Sequence, residues 1–221
     1  RRIRESSTSP ILRVTSEPTF AGSWLVPRLS SFRVICPDLD VLLDASDRLV
    51  DFERDAIDVG IRWGNGKYPG LVAEHMFDDE EVIAVCPPSL LSGDHPLREP
   101  SDLRHHPLIH LDWPQEQGIW PDWPQWLKAA GVTGIDAERG MRFTAHSHAI
   151  RAALDSKGLV LATPSLVGSD PRSGALVQPF EITLPATTQM YLVYRADRAE
   201  EAAIASFRAW ILEEAGKDVR D

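Results

Sequence analysis

Thr19-Phe20-Ala21-Gly22-Ser23-Trp24-Leu25-Val26-Pro27-Arg28-Leu29 is the stretch on which the fold turns. It follows a strand-like run, Ile11-Leu12-Arg13-Val14-Thr15-Ser16, and opens a helix-like one. Phe20, Trp24, Leu25, Leu29 and Phe32 recur at intervals of one buried helical face. A strand feeding a helix through Glu17-Pro18-Thr19 puts a hydroxyl and free backbone N–H groups at one spot, an arrangement that holds a small anionic ligand. Pro27 lies inside the predicted helix and should kink it or loosen a turn.

The same alternation continues outward. Leu39 to Leu43 and Ala56 to Arg62 read as strands, with a short helix over residues 46–54 between them. Glu80 to Cys86 is a further strand, ended by Pro87-Pro88. A second series follows: strand Pro107 to Leu111, helix Ile119 to Ala130, helix Ser147 to Leu154 and strand Leu159 to Thr163. Pro121 and Pro124 leave that first helix's start open by a turn, and Gly131 stops it. Strand Met190 to Tyr194 precedes a C-terminal helix whose Ala203, Phe207, Trp210 and Ile211 should be buried and whose Glu214 should not. Alternating strands and helices predict α/β architecture. The expected division is a linker end at 1–10, one subdomain from 11–85 plus 189–216, a second at 86–188 and a tail at 217–221. Two crossings between subdomains leave a cleft where a ligand would sit.

At 221 residues, with 43% hydrophobic and 25% charged residues, the composition is that of an ordinary soluble globular protein. No apolar run reaches the roughly 18–20 residues that span a bilayer, and no secretory signal opens the chain. The formal charge of −10 opposes binding to DNA or an anionic membrane; Arg1, Arg2 and Arg4 are the one basic cluster. Cys36 and Cys86 lack metal-ligand spacing and read as reduced thiols, which suits the cytoplasm. There is no G-x-S-x-G, phosphate loop or H-E-x-x-H, so no catalytic residue and no cofactor is expected. His146 and His148, and the pair His105-His106, lack the further ligands a metal needs. The tryptophans at 113, 120, 123 and 126 read as a packed satellite core rather than an aromatic cage, and Asp78 to Glu81 as a solvated acidic run.

The order and spacing of these segments resemble the effector-binding domain of LysR-type transcriptional regulators. The residues that carry the resemblance include Val14 to Leu29, Asp47-Arg48-Leu49-Val50-Asp51, Asp58-Val59-Gly60-Ile61-Arg62-Trp63-Gly64 and Val85-Cys86-Pro87. Leu97 to Leu103, Pro107 to His110, Gly158 to Leu161, Leu176 to Phe180 and Tyr191 to Tyr194 extend it. The branch it resembles contains the regulators of glycine cleavage and of inducible β-lactamase. The resemblance implies two Rossmann-like subdomains joined by two crossover strands, as in type II periplasmic binding proteins. It implies a small-molecule effector, and DNA contact only through an N-terminal helix-turn-helix domain joined by a linker of which Arg1 to Ser9 would be the end. It also implies a homodimer, a tetramer in the full-length parent, with subunits side by side and antiparallel.

Carried onto this sequence, the ligand site comprises Thr19, flanked by Pro18 and Phe20, and Ser147, beside His146, at the start of the facing helix. Thr19 either caps its helix or meets the ligand. Arg62 and Trp63 follow the strand Ile57 to Ile61; Arg62 pairs with a ligand carboxylate or with a nearby Asp. Tyr191 offers its hydroxyl or packs in the core, and Thr163 ends the second subdomain's strand. Trp24, Leu25, Arg28, Phe32, Ile150 and Leu154 are the expected dimer interface. A solute-binding protein for transport shares this fold and is the alternative; a small α/β hydrolase is a third reading.

Overall fold

The computed structural model describes residues 10–46, 48, 50–77, 80–112, 120–167 and 174–218. Among the described residues ten strands form two five-stranded sheets. The first contains β1 (Ile11–Ser16), β2 (Asp40–Ala45), β3 (Val59–Gly64), β4 (Leu71–His75) and β10 (Gln189–Arg195), in the order β2-β1-β3-β10-β4. The second contains β5 (Glu81–Val85), β6 (Leu108–Leu111), β7 (Gly140–Phe143), β8 (Leu159–Ala162) and β9 (Thr183–Pro185), in the order β7-β6-β8-β5-β9. β1 is parallel to β2 and β3, and β6 is parallel to β7 and β8. The fourth strand of each sheet, β10 or β5, is antiparallel to its neighbours. The chain leaves the first sheet after His75 and enters the second at Glu81; it returns between Pro185 and Gln189. Each sheet therefore receives its antiparallel strand from a crossing.

Six α-helices among the described residues cover the sheets: α1 (Pro18–Phe20), α2 (Val26–Ile35), α3 (Trp123–Ala129), α4 (His146–Leu154), α5 (Pro164–Val167) and α6 (Ala202–Asp218). α1 and α2 are joined without a break by a π-helical segment, Ala21–Leu25. That segment is the answer to Pro27. Proline has no N–H to give Ser23 and its ring would press on the Ser23 carbonyl, so the turn before it widens and Val26 N–H reaches back five residues to Ala21 O. The helix bulges rather than breaks, and Trp24, Leu25 and Phe32 all stay on its buried side. α6 packs against α2 through Phe32, Phe207 and Trp210, and Trp210 Nε1 donates to Ser31 Oγ at 2.9 Å. Within α6, Ala203 is only partly buried, whereas Glu214 keeps 15% of its side chain exposed, 4.0 Å from Arg28 and 2.6 Å from Lys217.

The helix expected over 46–54 does not form; its described residues make bends and turns. Asp51 accepts the N–H groups of Glu53 and Arg54, and Asp55 accepts that of Asp51, so side chains satisfy the backbone in place of a helical ladder. The segment folds Phe52 against Gly60, where a Cβ would come within 2.9 Å of the ring. Three strands were not anticipated. β9 is three residues long, and the edge strands β4, half-buried, and β7, largely exposed, lack apolar alternation. α3 begins at Trp123, capped by Asp122, so that Pro124 falls in its first turn.

Trp123 and Trp126 are core residues, as their spacing suggested; Trp120 instead touches the cores of both sheets, and Trp113 lies outside the described residues. Cys86 is buried, which pushes its thiol up to about 11, and Cys36 ends α2. Of the acidic run, Asp78 and Asp79 lie outside the described residues, Glu81 is exposed on β5, and Glu80 is half-buried with its carboxylate bonded to Ser165. Arg1 to Ser9, with the basic cluster, are also outside the described residues. Among the described residues no helix is long and apolar enough to cross a membrane.

Candidate ligand-binding site

β1 delivers Ser16 and Glu17 to the head of the first helix. Glu17 is 5% exposed and turns its carboxylate onto that head. Oε1 accepts Thr19 N–H at 2.9 Å and the Thr19 hydroxyl at 2.7 Å; Oε2 accepts Phe20 N–H at 2.7 Å. The backbone groups expected to be open to an anionic ligand are thus filled by the protein's own carboxylate, and this corrects the reading of a bare anion site. Thr19 remains at the surface of a cavity, but the Phe20 ring does not. It is fully buried, stacked on Trp24 at 5.0 Å and edge-on to Phe77 at 6.0 Å.

The second sheet presents α4, whose head carries His146 and Ser147 and whose N-cap residue, Ala145, has no side chain able to cap it. Ser147, Ile150, Arg151 and Leu154 recur on one side of α4 and face Pro18, Thr19, Gly22, Ser23 and Pro27 of the first helix. Leu166, Val167, Ala175 and Leu176 complete a cavity of about 310 Å³ between the two. The structure therefore brings Pro18, Thr19 and Ser147 together across the boundary between the sheets. It adds Ile150 and Leu154, which had been expected at a dimer interface. Gly22, Ser23 and Pro27 were missed, although they follow Thr19 at helical spacing; Leu166 and Leu176 carried no signal in sequence.

The remaining candidates lie elsewhere. His146 is buried and meets the Trp120 ring at 4.7 Å, and Trp120 in turn meets Trp63 at 5.8 Å, both nearly perpendicular. Burial pushes the His146 imidazole down to about 3, so it is neutral at physiological pH. Trp63, Trp120 and His146 make an aromatic seam between the sheets, away from the cavity lining. Arg62 and Tyr191 are direct cross-strand partners on the face opposite Trp63 and Met190. Arg62 donates to Thr15 Oγ1 at 2.6 Å and Ile61 O at 3.1 Å. Tyr191 packs against His75 at 5.1 Å and Tyr68 at 6.4 Å, and burial pushes the Tyr68 phenol up to about 12. Thr163 is fully buried, with its hydroxyl 3.2 Å from that of Ser165. None of these three lines the cavity.

The expected interface residues also change place. Trp24, Leu25 and Phe32 are fully buried inside the protomer, so their side chains offer a partner no surface. Arg28 lies over the Trp24 ring at 4.5 Å and donates to Trp24 O at 3.2 Å. Among the described residues the large apolar side chains left exposed are Ile11, Val26, Val34, Ile35 and Leu42 on the first sheet and its helix, with Leu91 and Met141 on the second half. Among the described residues no group of three or more His, Cys, Asp or Glu side chains could hold a metal ion. His105 stacks on His95 at 4.3 Å, and His106 Nε2 lies 2.7 Å from His95 O.

Two sheets with the same strand pattern, joined by two crossings and meeting around a ligand-sized cavity, define an effector domain of the periplasmic-binding-protein type. Residues 5–216 match the LysR substrate binding domain, and the chain belongs to that family. It is 36% identical over 218 residues to the glycine cleavage system transcriptional activator of Escherichia coli (strain K12), covering 99% of this chain and 69% of the relative. It is 29% identical to the HTH-type transcriptional activator AmpR of Pseudomonas aeruginosa, covering 95% of this chain and 68% of that one. The effector domain of the Pseudomonas aeruginosa AmpR superposes with a TM-score of 0.73 at 28% identity, over 96% of this chain and 98% of that domain. The AmpR effector-binding domain of Citrobacter freundii gives 0.74 at 23% identity, over 94% and 99%.

Proposed function

We propose that this domain is the sensor of a transcriptional regulator, that it binds a small-molecule effector reversibly, and that it does no chemistry on it. The observation that carries the reading is the cavity of about 310 Å³ walled by the heads of two helices from the two halves of the chain. A ligand there touches both halves at once, so its binding energy depends on how they are arranged. It shifts the equilibrium between arrangements by its difference in affinity for them and no more. The regulators among its relatives support this role over solute transport.

In this reading residues 11–85 and 189–216 move as one subdomain against residues 86–188. The domain works as a cytoplasmic homodimer, and the regulator reaches DNA through a helix-turn-helix domain. A net charge of −10 supports leaving DNA contact to another domain. The exposed Val34 and Ile35 at the end of α2 replace the buried Trp24, Leu25 and Phe32 as the apolar surface available to a second copy. A thermal-shift screen of small metabolites tests the assignment. A ligand that raises the melting temperature of the wild type should lose most of that effect in Thr19→Val/Ser147→Ala. Stabilisation unchanged in the double variant would place the ligand elsewhere.

A further inference from the structure

α5 (Pro164–Val167) follows β8 of the second sheet, yet it reaches across to the first half of the molecule. It packs on α1 and on the π-helical turn that continues it. Leu166 is 1% exposed and belongs to the core that holds Phe20, Trp24 and Leu25. The head of α5 is fixed from the side of the crossings. Ser165 gives its N–H and its hydroxyl proton to the Glu80 carboxylate, each at 2.8 Å, and Glu80 immediately precedes β5. The backbone of Glu80 is held in turn by the side chain of Gln189, the first residue of β10, which accepts its N–H at 3.2 Å and donates to its carbonyl at 3.1 Å. Both passages between the sheets, and the helix that reaches across, meet at this one residue.

Rotation of the halves about the crossings leaves these bonds intact, because every member sits at the pivot. The same rotation has to draw Leu166 out of the first core, since α5 is carried with the second half, and re-exposing a buried leucine opposes it. From this arrangement we infer that α5 is a latch between the halves. Leu166, seated in the first core, holds them together, and Glu80 is the positioning residue that keeps the latch in place. The inference rests on the reading that the two halves move against each other, and it names what sets the balance between their arrangements. Leu166 and Val167 also wall the cavity, so an effector there bears on the latch directly.

Spin labels on Ala209→Cys of α6 and Lys128→Cys of α3, both exposed positions, report the separation of the halves by pulsed dipolar spectroscopy. The labelled chain carries Cys36→Ser, is diluted with unlabelled protein and is measured without any ligand. The expected result is one dominant distance with the latch intact. In Glu80→Ala and in Leu166→Ala a second distance should appear, its population relative to the first raised about tenfold or more. The double variant should add little beyond the larger single effect, since both changes release one latch; independent effects would add and overturn the shared latch. Glu80→Gln, which keeps the side-chain length and one acceptor oxygen, should restore part of the first population. A second distance in Leu166→Ala but not in Glu80→Ala overturns the role of Glu80. The same distribution in every variant overturns the latch while leaving the effector pocket standing, because the thermal-shift comparison with Thr19→Val/Ser147→Ala decides the pocket separately. Where Leu166→Ala folds poorly, Glu80→Ala against Glu80→Gln decides the matter.

Discussion

Glu80 and Ser165, 85 positions apart, are joined by both oxygens of the carboxylate: Oε1 accepts the Ser165 N–H and Oε2 its hydroxyl, each at 2.8 Å. Glu80 stands on the first crossing and Ser165 at the head of α5 in the second half. The Gln189 side chain, at the start of the returning strand, accepts Glu80 N–H at 3.2 Å and donates to Glu80 O at 3.1 Å. Both crossings and α5 are therefore tied at one point, and Glu80 caps α5 much as Glu17 caps α1. Glu80→Ala should lower unfolding free energy by about 2 kcal/mol, and Ser165→Ala by about 1 kcal/mol because its N–H bond survives. Urea unfolding measures both, and equal losses would show that the hydroxyl carries the whole interaction.

Two glycines should respond to alanine in opposite directions. Gly158 has φ +144, and a Cβ there would fall 2.0 Å from Pro107 O, the carbonyl that accepts Leu159 N–H. Gly158→Ala should cost about 3 kcal/mol or more, since both the backbone angle and the space forbid the methyl group. Gly22→Ala meets open space within a helical stretch and should stabilise by about 0.5–1 kcal/mol. The same methyl group intrudes on the cavity wall, so effector affinity should fall as stability rises. Thermal melts and ligand titration of both variants check this.

His146 ties stability to pH. Its imidazole is near 6.5 when unfolded and, through burial, about 3 when folded, so the unfolded state binds the extra proton between those values. The contribution is complete above pH 6.5 and is lost as the pH falls toward 3, at up to about 1.4 kcal/mol per pH unit. His146→Leu should flatten that part of the profile of unfolding free energy between pH 7 and pH 4. The slope is the quantity to read, because the absolute stability also changes with packing against Trp120. Equal slopes in both proteins would assign the acid sensitivity to other groups.

Val34 is 81% exposed and Ile35 59%, an unusual position for aliphatic side chains on a helix. If they seat a second copy, Val34→Glu should weaken self-association by about tenfold or more. Sedimentation equilibrium at micromolar concentration reads this directly. A Trp24 substitution could not serve as the test, because that side chain is inside the protomer core.

The sequence made the strands β1, β3, β5, β6, β8 and β10 legible because each is an apolar run bounded by turn residues, and buried strands must be apolar. It also made the longer helices legible, since Trp24, Phe32, Ile150 and Phe207 repeat at the spacing that buries one side. The edge strands β4, β7 and β9 gave no such pattern. Segment 46–54 read as a helix because spacing cannot reveal that Asp51 and Asp55 will bond the backbone instead.

What the sequence alone determined is the α/β alternation and the two crossings, as consequences of local pattern and order, while the facing helix heads at Thr19 and Ser147 followed from the family resemblance. Which polar groups remain available was decided only by tertiary structure. A hydroxyl looks the same in sequence whether its proton is free or given away, and nothing in the sequence showed that the Thr19 hydroxyl would donate to Glu17 and that of Ser23 to the Thr19 carbonyl. Arg62 and Trp63 are neighbours in the chain, yet the alternation of a strand sends them to opposite faces of the sheet, and Ile150, expected to face a partner, instead walls the cavity. Those outcomes depend on what packs on each face, and that is set by contacts between residues far apart in the chain.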